Sequence, residues 1–239
     1  MSDKLLTIKT DRITDLVYSR LRDGIINQTF VPGQKLSAEA VAAQLGVSRS
    51  PVHEAFVRLR SEGLVDIVPR KGTFVTELTA KDIEDTMEVR LAIETAACKT
   101  AIMTPTDGEI DQLRSDLDSA YESVMNADNI VLAVRLQGEY DMRFHSTLVA
   151  WSNNRRLIEI HKTLNTHLLI ARAHMKIHRW KDRLPQEYKE HTAILNALKA
   201  RDLVSMVEAV EYHVTRSKKS LVADLREYQI ENRQAIESE

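Results

Sequence analysis

The chain has 239 residues, 28% of them charged and 5% aromatic, with a formal net charge of −2. That length suits two modest domains, and a core supplied by Leu, Ala, Val and Ile favours helices packed on helices. A single cysteine, Cys98, excludes an internal disulfide framework and reads as a small buried residue in a reducing compartment.

No run approaches the ~18 apolar residues of a membrane span, and the first residues lack the apolar core of a secretory signal, so a cytoplasmic protein is expected. The small net charge hides an asymmetry: Lys+Arg number 11 against 8 Asp+Glu up to residue 76, and 22 against 27 beyond it. A mildly basic head on an acidic body suits a phosphate-binding module joined to something else. Gly24, Gly33, Gly46, Gly63 and Gly72 all lie in that head, and only Gly108 and Gly138 follow. The expected division is therefore a compact, turn-rich domain over 1–76 and a nearly all-helical one over 77–239.

In chain order, Ile13, Leu16, Val17, Leu21, Ile25 and Ile26 recur at helical spacing and predict a helix over about 11–27. Val31-Pro32-Gly33 breaks the chain. Ser37 is placed to cap a short second helix through Val41, Ala42 and Leu45, closed by Gly46. Ser48 or Ser50 caps a third helix with Pro51 in its first turn and Val52, Phe56 and Leu59 facing inward. Residues 64–68 and 73–75 read as two short strands around Pro69-Arg70-Lys71-Gly72, a basic hairpin tip. Three helices followed by a basic hairpin make a winged helix.

Helix N-termini offer free N–H groups and a positive dipole end, so Ser48, Arg49 and Ser50 suit phosphate there. Arg49 could instead reach a guanine edge in the major groove. Arg70 and Lys71, with Gly72 permitting close backbone approach, suit a wing on the minor groove or its phosphates. Each residue alone fits a basic loop on a protein-interaction module; in this order they favour DNA. Residues 11–76, above all "PGQKLSAEAVAAQLGVSRSPVHEAFVRLRSEGLV" and "KGTFV", resemble the winged-helix head of GntR-type bacterial transcription regulators. The resemblance implies DNA contacts by Ser48, Arg49, Ser50 and Gly72. The chain departs from the family's usual arginines at His53 and Ala40, where His53 offers a shorter contact and Ala40 none, so the resemblance implies DNA binding without fixing the operator sequence.

The body is expected to begin with a helix capped near Thr79 and to hold six helices, at about 80–103, 107–126, 130–151, 154–179, 185–200 and 203–229, with frayed final residues. Asp141 and His145 are four apart, so they share a helix face and could grip one ion, and they flank the apolar stripe Ala133, Leu136, Tyr140, Phe144, Leu148. His191 precedes Ile194 and Leu195 on a buried face. His213 falls in the stripe Leu203, Met206, Val207, Val210, Val214, Leu221. A carboxylate and three imidazoles aimed into one core cost free energy unless paired, and a divalent cation pairs all four. Spacing alone leaves this set level with ordinary core histidines. A rival pair of the same spacing, His174 and His178, lies on a more polar helix and reads as solvated surface, while His161 and His167 have no assigned place. Arg90, three residues after Met87, faces inward, where it could clamp a carboxylate or pair with Glu94.

Residues 79–229 resemble the all-helical effector domain of the FadR subgroup of GntR regulators, in its metal-binding branch, through "VRLAIE" (89–94), "DMRFH" (141–145), "EHTAILNALKARD" (190–202) and His213. Six body helices match the VanR-like type. The resemblance implies that Asp141, His145, His191 and His213 bind one divalent metal (zinc first, nickel or manganese next) and that Arg90 lines an effector pocket. The fatty-acyl-binding members lack this metal set, which counts against an acyl-CoA ligand. The expected function is a ligand-responsive, homodimeric DNA-binding repressor that reads a short inverted repeat and senses a small organic acid. The alternatives are a metalloenzyme, or a regulator for which the metal itself is the signal.

Overall fold

The computed structural model describes residues 11–27, 29–127, 130–173 and 180–237. The chain divides into two compact units, Met1–Leu78 and Thr79–Glu239. The division falls two residues beyond the expected 76/77 boundary.

In the first unit α1 (Asp11–Ile26) buries Val17, Tyr18, Leu21 and Ile25. Ile13 and Leu16, expected in the same stripe, are 46% and 62% exposed and lie at its outer edge. After β1 (Lys35–Leu36), the Ser37 hydroxyl accepts the Ala40 N–H and starts α2 (Ala38–Leu45). Gly46 ends that helix at φ 66°, a left-handed turn that glycine adopts without strain. Ser48 is the N-cap residue of α3 (Arg49–Ser61), whose Val52, Ala55, Phe56 and Leu59 are buried. The strands β2 (Val65–Val68) and β3 (Gly72–Val75) form the hairpin, with Val68 paired to Gly72. Strand β1 pairs antiparallel with β3 through Lys35↔Phe74, giving the order β1-β3-β2. That two-residue strand was not expected, because two residues carry no alternation to read. The fold of this unit is a winged helix-turn-helix.

The second unit is helical in all its described elements. Helix α4 (Ala80–Ala101) opens with a capping box between Thr79 and Asp82, and α5 (Asp107–Met125) with one between Thr106 and Glu109. Then follow α6 (Ile130–Ala150), α7 (Arg155–Ala173), α8 (Trp180–Lys199) and α9 (Leu203–Glu237). The expected extension of the fourth body helix to 179, and the pair His174 and His178 on it, lie outside the described residues. Helix α8 starts five residues earlier than expected and carries Pro185 inside it, near enough to its start that the ring removes only the bond toward residue 181. Helix α9 runs well past 229, where fraying was expected. Leu203 is 36% exposed, so its buried stripe starts at Met206.

Helix α4 packs against α6, α7 and α9, while α8 packs against α5 and α9. Arg201, at φ 57°, ties the α8–α9 corner to the α4–α5 corner by donating to the carbonyls of Ile102 and Pro105. Among the described residues no helix is long and apolar enough to cross a membrane.

Candidate functional site

The centre of the body is polar. Helix α4 contributes Arg90 and Glu94, α6 contributes Asp141 and His145, α8 contributes Glu190 and His191, and α9 contributes His213, all buried. The i,i+4 pairs Arg90–Glu94 and Asp141–His145 reach this point because four residues return a helix to nearly the same face.

The donor atoms of Asp141, His145, His191 and His213 lie within 4.8 Å of one another. His145 Nε2 is 3.2 Å from His191 Nε2 and 3.1 Å from His213 Nε2. Asp141 Oδ1 is 3.6, 3.6 and 3.9 Å from the Nε2 atoms of His145, His191 and His213. Donors about 2.1 Å from one ion stand roughly 3.0 Å apart at octahedral and 3.4 Å at tetrahedral angles, so this spacing fits a single coordination sphere.

Hydrogen bonding favours the same arrangement. His145 Nδ1 lies 2.7 Å from Glu94 Oε2, and His213 Nδ1 lies 2.8 Å from Glu190 Oε2. An ionised carboxylate only accepts, so each Nδ1–H donates and each Nε2 faces the shared centre. Two Nε2 atoms 3.1 Å apart need a proton or a metal cation between them. His191 is held by its stack on Phe144, with ring centroids 4.2 Å apart and planes at 24°.

The electrostatics follow the packing. Burial opposes the charged carboxylate of Glu94, but Arg90 and His145 beside it hold it well below the usual range. Burial, with His213 and His145 as neighbours, pulls His191 well below an ordinary histidine, and burial brings His213 to about 4 despite Glu190. His145 is raised: burial and Arg90 pull it down, and Glu94 and Asp141 outweigh them. Burial thus favours neutral His191 and His213, while His145, held toward its protonated form by Glu94 and Asp141, must release its Nε2 proton before that atom can act as a donor to a divalent cation.

Arg90 is 1% exposed and its Nε donates to Glu94 Oε1 at 2.6 Å, so the pairing alternative read from the sequence is made. Its Nη2 sits 3.7 Å from Asp141 Oδ2, and neither Nη1 nor Nη2 has a hydrogen-bond partner among the described residues. A cavity of about 20 Å³ adjoins Asp141 and His191, walled by Leu117, Tyr121, Tyr140 and Tyr188. That is room for about one water-sized group.

Sequence reasoning missed Glu190 and His161 and gave Glu94 only as Arg90's partner. His161 is 2% exposed; its Nε2 lies 3.3 Å from Glu94 Oε1, and its Nδ1 lies 3.4 Å from Asn165 Nδ2. The sequence carries no signal for Glu190, which turns inward beside His191 only because α8 is covered by both α5 and α9.

In the head, Ser48, Arg49, Ser50 and His53 are all exposed at the start of α3. The Ser48 hydroxyl makes no capping bond, and Arg49 Nη2 lies 3.3 Å from Glu39 Oε1 between two exposed side chains. Arg70, at φ 64°, and Lys71 project from the β2–β3 tip. Gly72 has φ 124°, and a Cβ there would stand 2.8 Å from Lys35 Cε, so no other residue fits that turn without strain. Ala40, exposed on α2, offers no polar group.

Residues 13–75 match the bacterial regulatory proteins of the gntR family, and residues 85–216 match the FCD domain. The chain belongs to the GntR family of bacterial regulatory proteins. This GntR-family protein is 29% identical to the HTH-type transcriptional regulator YdhC of Bacillus subtilis strain 168, across 82% of this chain and 84% of that one. It is 28% identical to a probable D-xylose utilization operon transcriptional repressor of Paenarthrobacter nicotinovorans, across 83% and 85%. Among solved structures, a GntR-type putative regulator from Rhodococcus sp. RHA1 superposes with a TM-score of 0.73 at 26% identity, covering 90% of this chain and 99% of that one. E. coli McbR/YncC shares the fold, with a TM-score of 0.68 at 20% identity over 87% and 96%. The GntR-family protein is accordingly a ligand-responsive, DNA-binding transcription regulator and not an enzyme. Its buried cluster of one aspartate and three histidines is compatible with a metal site.

Proposed function

We propose that this regulator holds one divalent ion, zinc first, on Asp141, His145, His191 and His213, and uses that centre to sense a small carboxylate. The observation that carries the reading is the convergence of those four buried donors in a chain that also carries a GntR head. When bound, such an ion supplies one or two further coordination positions that accept carboxylate oxygens. Arg90, whose Nη1 and Nη2 lack hydrogen-bond partners among the described residues, supplies the guanidinium for the acid's other oxygen. The cavity beside Asp141 and His191 measures about 20 Å³, so an acid entering there displaces side chains of its wall.

The head, residues 1–76, serves as the DNA-binding domain and residues 77–239 as the effector-binding and dimerisation domain. Ser48, Ser50 and the start of α3 take phosphate, Arg49 and His53 address the major groove, and Arg70, Lys71 and Gly72 form the wing contact. The protein acts in the cytoplasm as a homodimeric repressor on a short inverted repeat, and acid binding changes operator affinity by linkage.

The test is operator binding by fluorescence anisotropy with zinc-loaded full chain, titrated with a panel of small carboxylic acids. A matching acid should shift affinity by about 5- to 150-fold, the usual range of allosteric coupling, and Arg90→Ala should abolish the shift. A response to zinc alone would make the metal the signal. No response to any acid would overturn the carboxylate reading.

A further inference from the structure

We infer that Glu94 and Glu190 are positioning residues of the metal centre, each fixing one ligand imidazole, and that Arg90 and Arg216 hold them in place. The inference rests on the reading of the Asp141 cluster as a metal site.

Two chains of contacts with the same order enter the cluster from opposite elements. On α4, Arg90 Nε donates to Glu94 Oε1 and leaves Oε2 to His145 Nδ1. Between α8 and α9, Arg216 Nε donates to Glu190 Oε1 and leaves Oε2 to His213 Nδ1. Each outer oxygen has a second donor, His161 Nε2 at 3.3 Å on Glu94 and Gln186 Nε2 at 3.0 Å on Glu190. Asn165 completes the first chain, because its amide N–H donates to His161 Nδ1 only if His161 carries its proton on Nε2.

A carboxylate buried to this depth is costly unless neutralised, and each arginine supplies that charge. With both arginines on the outer oxygen, the inner oxygen of each glutamate has one strong donor left to it, the imidazole. Accepting Nδ1–H selects the tautomer and ring orientation that aim Nε2 at the ion, the arrangement that tunes affinity in metal sites generally. The second chain also reaches the surface: the Arg216 side chain is 20% exposed and borders an open groove with Tyr212 and Lys219.

The experiment uses the full chain and zinc alone, titrated against a chromophoric chelator, with Glu94→Gln and Glu190→Gln compared to wild type. Each variant should lose about 10- to 100-fold in zinc affinity, the usual effect of such partners. Asp224→Asn is the control: it breaks a part-buried carboxylate pair with Arg183 that, among the described residues, meets none of the four donors, and should leave affinity within roughly twofold. In zinc-loaded wild type, proton NMR should show two strongly downfield imidazole Nδ1–H resonances, one moved by each Gln variant. Should a buried Gln fail to fold, Arg216→Gln at its partly exposed position should lower affinity by roughly two- to tenfold. Undiminished affinity in these variants, with wild type binding zinc, overturns the positioning role and leaves the metal reading standing. Absence of zinc binding in wild type overturns both.

Discussion

The two units put their functional groups in opposite places. In the head, the residues proposed for DNA stand exposed at the start of α3 and the tip of the β2–β3 hairpin, over a core of Val17, Leu21, Ile25, Val52, Phe56 and Leu59. In the body, the polar groups are the core: Arg90, Glu94, Asp141, His145, Glu190, His191 and His213 are all buried between apolar helix faces. The difference follows from the size of the partner. A duplex is met from solvent by donors on a rigid rim, while an ion needs donors that converge from several helices out of water. One consequence is that damage to the head's core should leave metal binding intact, whereas the body's core and its site are one object.

Core truncation breaks this comparison most directly. Phe56→Ala and Phe144→Ala should each cost about 3–5 kcal/mol in their own unit, measured by denaturant unfolding followed with probes in each unit. Only Phe144→Ala should also weaken zinc binding, because its ring stacks on His191 and meets His145 edge-on at 5.2 Å. Equal loss of zinc affinity in both variants would mean that the two units are not independent in this sense.

Smaller effects are expected at the rim of the head. Arg49→Ala should cost about 1–3 kcal/mol of discrimination between operator and mismatched DNA. Lys71→Ala should weaken binding to all sequences and reduce the salt slope by about 1. Neither should change zinc affinity, and a uniform loss from Arg49→Ala would make that residue a phosphate contact.

The inward placement of the body's four donors was legible because each falls within or beside a 3.6-residue apolar stripe, but spacing left them level with ordinary core histidines, and the resemblance to the metal-binding branch is what grouped them. The partners that orient them were not legible. Glu94 reads as one half of a common i,i+4 pair, and Glu190 sits next to His191, where adjacent residues normally diverge by about 100° around the helix. Both turn inward only because α4 and α8 are covered on more than one side, which is a property of the assembled bundle. The same limit explains Ile13, Leu16 and Leu203, apolar at the right spacing but at the edge of what their neighbours cover. In the head, the glycine turns, Ser37 and the α3 pattern carried most of the fold. Strand β1 exists only because β3 is there to pair with it.

The smallest effect is in the head's polar periphery. The Tyr18 hydroxyl lies 2.7 Å from Glu62 Oε2, and Arg58 sits 3.7 Å over the ring. Burial, then the Glu62 carboxylate, push the phenol from 10.0 up to about 12. The folded state therefore favours the neutral phenol: its contribution is complete below pH 10 and is lost as pH rises toward 12. Tyr18→Phe should cost about 1 kcal/mol at neutral pH and remove that part of the alkaline slope, as read by unfolding titrations across roughly pH 9 to 12.

The most direct measurement is metal content per chain after equilibrium dialysis of wild type and His145→Ala against the same low concentration of free zinc. One equivalent on wild type and a small fraction of one on the variant is the expected result. Equal content in the two proteins, or no stoichiometric metal on wild type, would contradict a single ion held by Asp141, His145, His191 and His213.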